Sequence, residues 1–423
     1  MQDPIDDKIT SGSHHSYWND SAEPLRYEPL STDLTTDVLV IGGGIAGLTL
    51  GCSLLKEGIS AVIFEKMPED TSHGAAISLS SNALRLLDRL DIYNDLRNQS
   101  FVHSEASIQG PEHKICLFQT PEVLTTRRQT LISLLYSQYI NLGGEIHHDH
   151  ALKNFDAAKC EATFTNQKKY GFKHLAACDG IRSLIRDTFF ATNQSPKYSG
   201  YSAWRGIGKS NLQRIHFALG PGSHIVSYPI NKEEDVSFVA VKKEDYEFKE
   251  SWKEEGSVKD LLDDFSIYDS TIFPVLEDSR PLYKWGIYVR PPLKSMISNN
   301  ITLLGDAAHP MVPFLGQGAC MAIEDTYSFA MACKENISNL RVAQAAYDFV
   351  RSKRTKKIQR LSMMQGKIYH MKNPLLVSAR NAVMKYTNIP GTDLKKIHDY
   401  DAHDEMQIYL AFGDLRARGN FLN

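Results

Sequence analysis

An α/β fold is expected here: a Rossmann-like parallel sheet, interleaved with a mostly antiparallel α+β second domain and followed by a C-terminal helical region. Three observations predict it. A strand at Asp37–Ile41 runs directly into Gly42-Gly43-Gly44-Ile45-Ala46-Gly47 and a helix. The order strand, aspartate at a glycine turn, helix then recurs around Lys173–Arg186 and Ile301–Met331. Between these two, residues 195–290 change to short alternating segments such as Ile215–Leu219, His224–Ile230, Val236–Lys242 and Trp285–Val289, the period of half-buried antiparallel strands.

Length and composition agree with this organisation. A chain of 423 residues accommodates two domains and a helical appendix. A formal net charge of −3 gives no electrostatic reason to expect nucleic acid or an acidic membrane as partner. The cysteines (Cys52, Cys116, Cys160, Cys178, Cys320, Cys333) are scattered without a CxxC pair, which suits reduced thiols in a cytoplasmic protein better than disulfides or a zinc site. No apolar run approaches a membrane span, and the first thirty residues lack the pattern of a secretion signal. A monomer or homodimer is expected.

Taken in order, residues 1–34 read as a polar arm, broken by Pro4, Pro24 and Pro29 and ordered only if Tyr17, Trp18 and Tyr27 find a surface; His14-His15 is too short for a metal tract. The first domain is assigned to 35–100, 125–194 and 291–345. In its opening turn Gly42 turns the chain, Gly44 admits a pyrophosphate to the backbone, and Gly47 allows helix and strand to pack closely. A second strand, Ala61–Phe64, ends at Glu65, placed where an acid meets a ribose hydroxyl of FAD or NAD. Gly74–Arg89 reads as a small-residue turn and a helix, and Thr125–Leu142 as a helix beginning at Arg127-Arg128. The strand Glu145–Leu152 carries His147, His148 and His150; neighbours on a strand face opposite ways, so a surface strand end is expected rather than a metal site. The second domain is assigned to 101–124 and 195–290. From Val342 to about Lys385 the chain reads as helical with a looser tail, within a region set at 346–423, and the basic run Arg351–Arg360 reads as a solvated face.

The segment Ile301–Asp325, ITLLGDAAHPMVPFLGQGACMAIED, organises the rest. A buried strand ends in Gly305-Asp306, and a loop shaped by Pro310, Pro313, Gly316 and Gly318 then feeds a helix from Ala319. A helix amino terminus favours an anionic ring such as reduced flavin. No second glycine fingerprint follows a strand, so two separate Rossmann domains are not expected.

Three stations in order, Gly42–Gly47 with Glu65, Ala177-Cys178-Asp179-Gly180-Ile181-Arg182-Ser183-Leu184-Ile185-Arg186, and Gly305–Asp325, make the chain resemble the single-component flavoprotein aromatic hydroxylases of the p-hydroxybenzoate hydroxylase family. Tyr201–Gly206, Gly220–His224 through Tyr228-Pro229, and the HPMVPFLGQG loop are similar to the branch that hydroxylates salicylate, 3-hydroxybenzoate, 6-hydroxynicotinate and urate; Pro313, where some members place a polar residue, disfavours 3-hydroxybenzoate. The resemblance implies FAD, with Gly42, Gly44, Ala46 and Gly47 at the pyrophosphate, Glu65 and Lys66 (arginine in many relatives) near the adenosine, Leu152 beside them, and Arg128 at the phosphate and ribose. It further implies Asp306 on the flavin side chain, and the backbone of Gly316, Gly318 and Ala319 at the pyrimidine edge. Asp179-Gly180 would serve both FAD and a passing NAD(P)H. The implied reaction is reduction of FAD by NAD(P)H, addition of O₂ to give a flavin C4a-hydroperoxide, and transfer of one oxygen atom to a small aromatic or N-heterocyclic ring.

His224 and Tyr228 lie four apart on one strand, hence on one face, and could relay the proton of a substrate hydroxyl; the alternative is an ordinary half-buried pair in a sheet. Arg205 could hold a carboxylate or a urate-like oxygen, or form an ion pair within the sheet. Other expectations kept open are oxygenation or epoxidation of a larger polyketide, terpenoid or antibiotic, a flavin oxidase, and a flavin-binding protein without activity.

Overall fold

The computed structural model describes residues 35–69, 76–111, 114–190, 195–245, 247, 256–268 and 272–417. The N-terminal arm with its histidine pair and aromatic residues, and Gly74, lie outside them.

The parallel sheet forms around consecutive buried apolar residues, Val38–Ile41, Ala61–Phe64 and Leu175–Ala177, which suit strands covered on both faces. Thr35–Ile41 is central. It pairs in parallel with Ala61–Phe64 on one side and Lys169–Ala177 on the other. Glu145–His147 extends the first side; Ile301–Leu303 and the short antiparallel Ile297–Ser298 extend the second. A hairpin, Leu152–Asp156 with Glu161–Phe164, pairs back onto Lys169–Ala177. The register sets Ile41 beside both Phe64 and Ala177, and Ala177 beside Leu303. Gly42, Glu65, Asp179 and Asp306 therefore follow strands that end level, at the carboxyl edge where open α/β sheets bind ligands. Helices Ile45–Lys56 and Gly318–Glu335 pack against one another across this edge.

The second sheet has the order Tyr283–Val289, Lys197–Lys209, Asp235–Lys243, Ser223–Pro229, Ile215–Gly220, Phe101–Gln109, Lys114–Arg127, Ala76–Ser80. Ile215–Gly220 and Phe101–Gln109 run parallel; the other pairs are antiparallel. One face, with Trp204, Phe238 and Ala240, is closed by helices Val258–Asp264 and Phe273–Glu277 through Leu261, Phe265 and Leu276. The opposite face carries Tyr201, Ala203, Val239, Val241 and Trp285 and packs on Val312 and Phe314 of the glycine-rich loop.

Several expectations need correction. Residues 76–80, read as part of a turn, form an edge strand of this second sheet, and residues 125–127 continue the strand before the helix Arg128–Asn141. Pairing with a distant partner decided both. As far as residue 417 the tail is not loose: Pro374–Tyr386, Ile389–His398 and Ala402–Ala417 follow the long helix Leu340–Tyr369. Ala402 and Met406 are buried, so tertiary packing stabilises the last of these helices. His150 is buried and His147 half-buried, both among Phe64 and Tyr170, so this strand end belongs to an aromatic cluster rather than the surface. No helix among the described residues is long and apolar enough to cross a membrane.

Candidate active site

The glycine turn has the backbone its sequence requires. Gly42 has φ +108°, and a Cβ there would lie 2.4 Å from the Cys178 carbonyl oxygen. A Cβ on Gly47 would lie 1.8 Å from the Gly42 carbonyl oxygen, so only glycine lets the helix start this close to the strand. Gly44 differs: its missing side chain faces open space, and the first atom met is Nη2 of Arg128, at 3.8 Å. Gly44 also caps the helix Ile45–Lys56 without any side-chain hydrogen bond, and no acidic residue occupies the first turn. A helix amino terminus left open beside a guanidinium, with glycine removing the steric barrier, is a built anion site.

Glu65 shapes that turn from the next strand. Its carboxylate accepts from Gly43 N–H at 2.5 Å and Met67 N–H at 2.9 Å. Lys66 is exposed. His150 N–H donates to the Glu65 carbonyl at 2.8 Å, which brings the start of the Leu152 strand alongside. Arg128 opens its helix, feels Asp306 and Glu65 electrostatically, and has its guanidinium pKa lowered by burial. The arginine thus spans the region between the two acids.

Asp306 is open to solvent yet walled by protein, as on the floor of a crevice; burial raises its carboxyl pKa, opposed by His309 and Arg128. The preceding Gly305 has φ +58° and fits between Ala46 and Ala322, at 3.3 and 3.1 Å from where its Cβ would be. Ala46 therefore seats this loop against the first helix. Gly316 has φ +63°. Gly318 opens the helix Gly318–Glu335 with space where a side chain would stand, Ala319 is half-buried behind it, and the Gln317 cap makes no side-chain bond to the helix. Gln317 instead donates to Ser80 at 2.9 Å and accepts from Asn82 at 3.1 Å. These open backbone donors fit a flavin pyrimidine edge as the Gly44 end fits a pyrophosphate, so the residues present fit FAD.

Asp179 follows the middle strand. Burial pushes its carboxyl up to about 6, although Ser183 and nearby amides stabilise the anion, and Oδ1 is sealed without a hydrogen-bond partner. An acid kept in so poor a setting suits a site that serves something other than stability.

Groups given no role from the sequence hold this loop in shape. Arg186 is fully buried and donates to the carbonyls of Ala307 and Ala308, at 3.1 and 2.7 Å, and of Pro291 at 2.8 Å. Asp325 accepts from His309 and from Gly305 N–H. Arg351 pairs with Glu324 at 2.6 Å and Asp325 at 2.9 Å, all three side chains being fully buried, and Arg354 pairs with Glu324 at 2.7 Å. The basic run is thus not a solvated face throughout. Its inward residues neutralise two buried carboxylates, whose pKa values the arginines and His309 hold below the usual range against the effect of burial. Lys353, Lys357 and Arg360 are exposed.

The second sheet brings His224, Tyr228 and Arg205 onto one face. Val226 pairs with Val239, and Val239 with Arg205, so the register carries that face from strand to strand. The Arg205 guanidinium stacks over Trp285, 5.1 Å from the ring centre. Its Nε is buried without a hydrogen-bond partner, and the charge feels the Tyr228 phenol and Arg128. Burial raises the Tyr228 pKa, so the phenol keeps its proton; it donates to the Ala76 carbonyl at 3.4 Å. His224 is not a ring poised near neutrality: burial, and then His370, push it well below its ordinary value. Its Nδ1 lies 2.6 Å from Nε2 of His370. No sequence signal marked His370, which stands 146 residues away.

Residues 35–359 match the family described as FAD binding domain. The chain is 26% identical over 375 residues to 3-amino-4-hydroxybenzoate 2-monooxygenase of Streptomyces cremeus, covering 84% of this chain and 92% of that one. It is 27% identical over 357 residues to 3-hydroxybenzoate 6-hydroxylase of Polaromonas naphthalenivorans, covering 79% and 88%. Among solved structures, a salicylate hydroxylase substrate complex superposes with a TM-score of 0.75 at 21% identity, covering 88% and 98%. Klebsiella pneumoniae HpxO with FAD and uric acid gives 0.76 at 18%, covering 86% and 96%. Fold, cradle and relatives define an FAD-dependent monooxygenase of the aromatic-hydroxylase type. The chain belongs to the FAD binding domain family.

Proposed function

We propose that this monooxygenase uses NAD(P)H to hydroxylate a small, hydroxylated aromatic or N-heterocyclic substrate bearing an anionic group or a ring oxygen. The observation that carries the reading is Arg205: a half-buried guanidinium with a sealed, unpartnered Nε, stacked on Trp285, on the same face as His224 and Tyr228. A guanidinium N–H sealed from water without an acceptor is costly unless a ligand completes it.

Gly42, Gly44, Gly47 and Arg128 would hold the FAD pyrophosphate, Glu65 the ribose, and Asp306 with Gly316, Gly318 and Ala319 the flavin end. When bound, FAD supplies the passage of electrons from NAD(P)H to oxygen, activated at flavin C4a. The protein's own residues do the rest. Arg205 fixes an anionic edge of the ring bidentately. Val239, Val241 and Trp285 form an apolar wall that keeps water from the reacting face. Tyr228 adds a neutral phenol to the same face, its O–H directed to the Ala76 carbonyl. The Arg351–Asp325–His309 network keeps the loop 305–318 in one shape before the substrate arrives.

The test is a panel of aromatic acids, hydroxypyridines and purines given to purified protein with NADH or NADPH. Cofactor oxidation should rise with one class, and the product should gain one oxygen atom. FAD-loaded protein that produces peroxide but no oxygenated product with every member would leave the oxidase reading instead.

A further inference from the structure

Resting on the monooxygenase reading, we propose that His370 is a positioning residue that fixes the tautomer of His224, keeping a proton on His224 Nε2 so that this nitrogen donates to a ring oxyanion of the substrate.

The geometry allows few alternatives. His370 follows the last turn of helix Leu340–Tyr369 and is held to the second sheet twice. Its carbonyl accepts from Gly222 N–H at 3.3 Å, and its Nε2 meets His224 Nδ1 at 2.6 Å. Arg380 secures the end of that helix, donating to the carbonyls of Ile368 and Tyr369 at 3.1 and 3.0 Å. Phe314 and Tyr369 wall the His224 ring, and Phe314 and Tyr201 wall the His370 ring. Burial keeps both imidazoles neutral around pH 7, His370 being pushed down to about 4. Each ring then carries one proton, and the contact between them holds only one.

If that proton belonged to His224 Nδ1, His370 would have to carry its own on Nδ1. That atom is sealed without a hydrogen-bond partner, and Lys243 and Arg380 bring positive charge to the ring. A buried N–H donor without an acceptor, in a positive field, is the costlier choice. If the shared proton belongs to His370 Nε2, its Nδ1 presents a lone pair to the same field, and the His224 proton moves to Nε2. His224 Nε2 is not among the sealed, unpartnered polar atoms and is left for the ligand. The sealed Nδ1 also means that the pair is not a proton wire: a proton passed inward has nowhere to go. His224 thus recognises an oxygen that has already lost its proton.

The experiment combines a spectroscopic readout with two variants. In holoenzyme labelled at its histidine nitrogens, NMR should show His224 protonated at Nε2 and bare at Nδ1; the reverse pattern overturns the proposal and needs no turnover to detect. His370→Phe, which keeps the ring volume, should retain FAD but lose hydroxylation by about 100-fold, with NAD(P)H oxidation uncoupled from product. His370→Gln, whose amide can still donate to Nδ1, should regain most of the rate. FAD-loaded His370→Phe hydroxylating at the wild-type rate would also overturn it. Failure of the monooxygenase reading would appear separately, as wild-type protein that never oxygenates a substrate.

Discussion

The candidate site has two proposed walls, and they are assembled differently. The FAD-facing wall is made of contiguous motifs: Gly42–Glu65 is one strand–turn–helix–strand, and Gly305–Ala319 one loop feeding a helix. Its donors are chiefly backbone groups: Gly42, Gly47 and Gly316 stand where a φ angle or a close contact excludes a side chain, while Gly44 and Gly318 leave open space before the helix ends. The substrate-facing wall is made of side chains only. Arg205, His224 and Tyr228 meet because adjoining strands hold a register, and His370 arrives from the end of a long helix. The first wall is rigid by local necessity, while the second depends on how the sheet, the helices and the loop dock. Retention of the cofactor and choice of substrate should therefore fail separately.

The largest effect is expected at the first wall. Gly47→Val places a side chain where the Gly42 carbonyl stands, so the protein should purify colourless; flavin absorbance per protein at the wild-type ratio would break the comparison. Next is the network beneath the loop. Arg351→Met leaves Glu324 and Asp325 buried and undercompensated and should cost about 3–5 kcal/mol in urea unfolding. Exposed Lys357→Met on the same helix should stay within about 0.5 kcal/mol.

Asp179 should reveal its strain through pH. Its folded-state pKa, about 6, lies above that of an unfolded aspartate, so the folded protein keeps a proton that the unfolded chain has lost. Stability from this group is therefore full only below the ordinary aspartate value of 3.8, falls as pH rises to about 6, and stays lost above. Asp179→Asn should abolish that fall and gain on the order of 2 kcal/mol at pH 7 but almost nothing at about pH 3, measured by thermal or urea unfolding of FAD-free protein. An unchanged pH profile would show that the carboxyl is not held protonated. The smallest effect belongs to the second wall. Arg205→Gln should keep FAD and raise KM for the anionic substrate about tenfold, with oxidation of NAD(P)H without substrate unchanged; loss of FAD instead would mean that the walls are coupled.

The motifs made the first wall legible because each is a local solution to a local problem. A tight turn needs glycine at Gly42, and a close crossing needs it at Gly47. The same reasoning placed His224 and Tyr228 on one face from strand period alone, but that Arg205 shares this face was decided by the register of the adjoining strands. It failed where the partner was remote. Arg351 and Arg354 look like solvent charges until Glu324 and Asp325 are seen beneath them. The stretch 76–80 looks like a turn until Lys114–Arg127 pairs with it.

By itself, then, the sequence determined the parallel sheet, the glycine cradle and the carboxylates at its edge, because backbone sterics and strand ends act over a few residues. Only the tertiary structure decided which charges are buried and that His370 stands against Nδ1 of His224. Those depend on desolvation and on contacts between segments far apart in the chain, which no local pattern records.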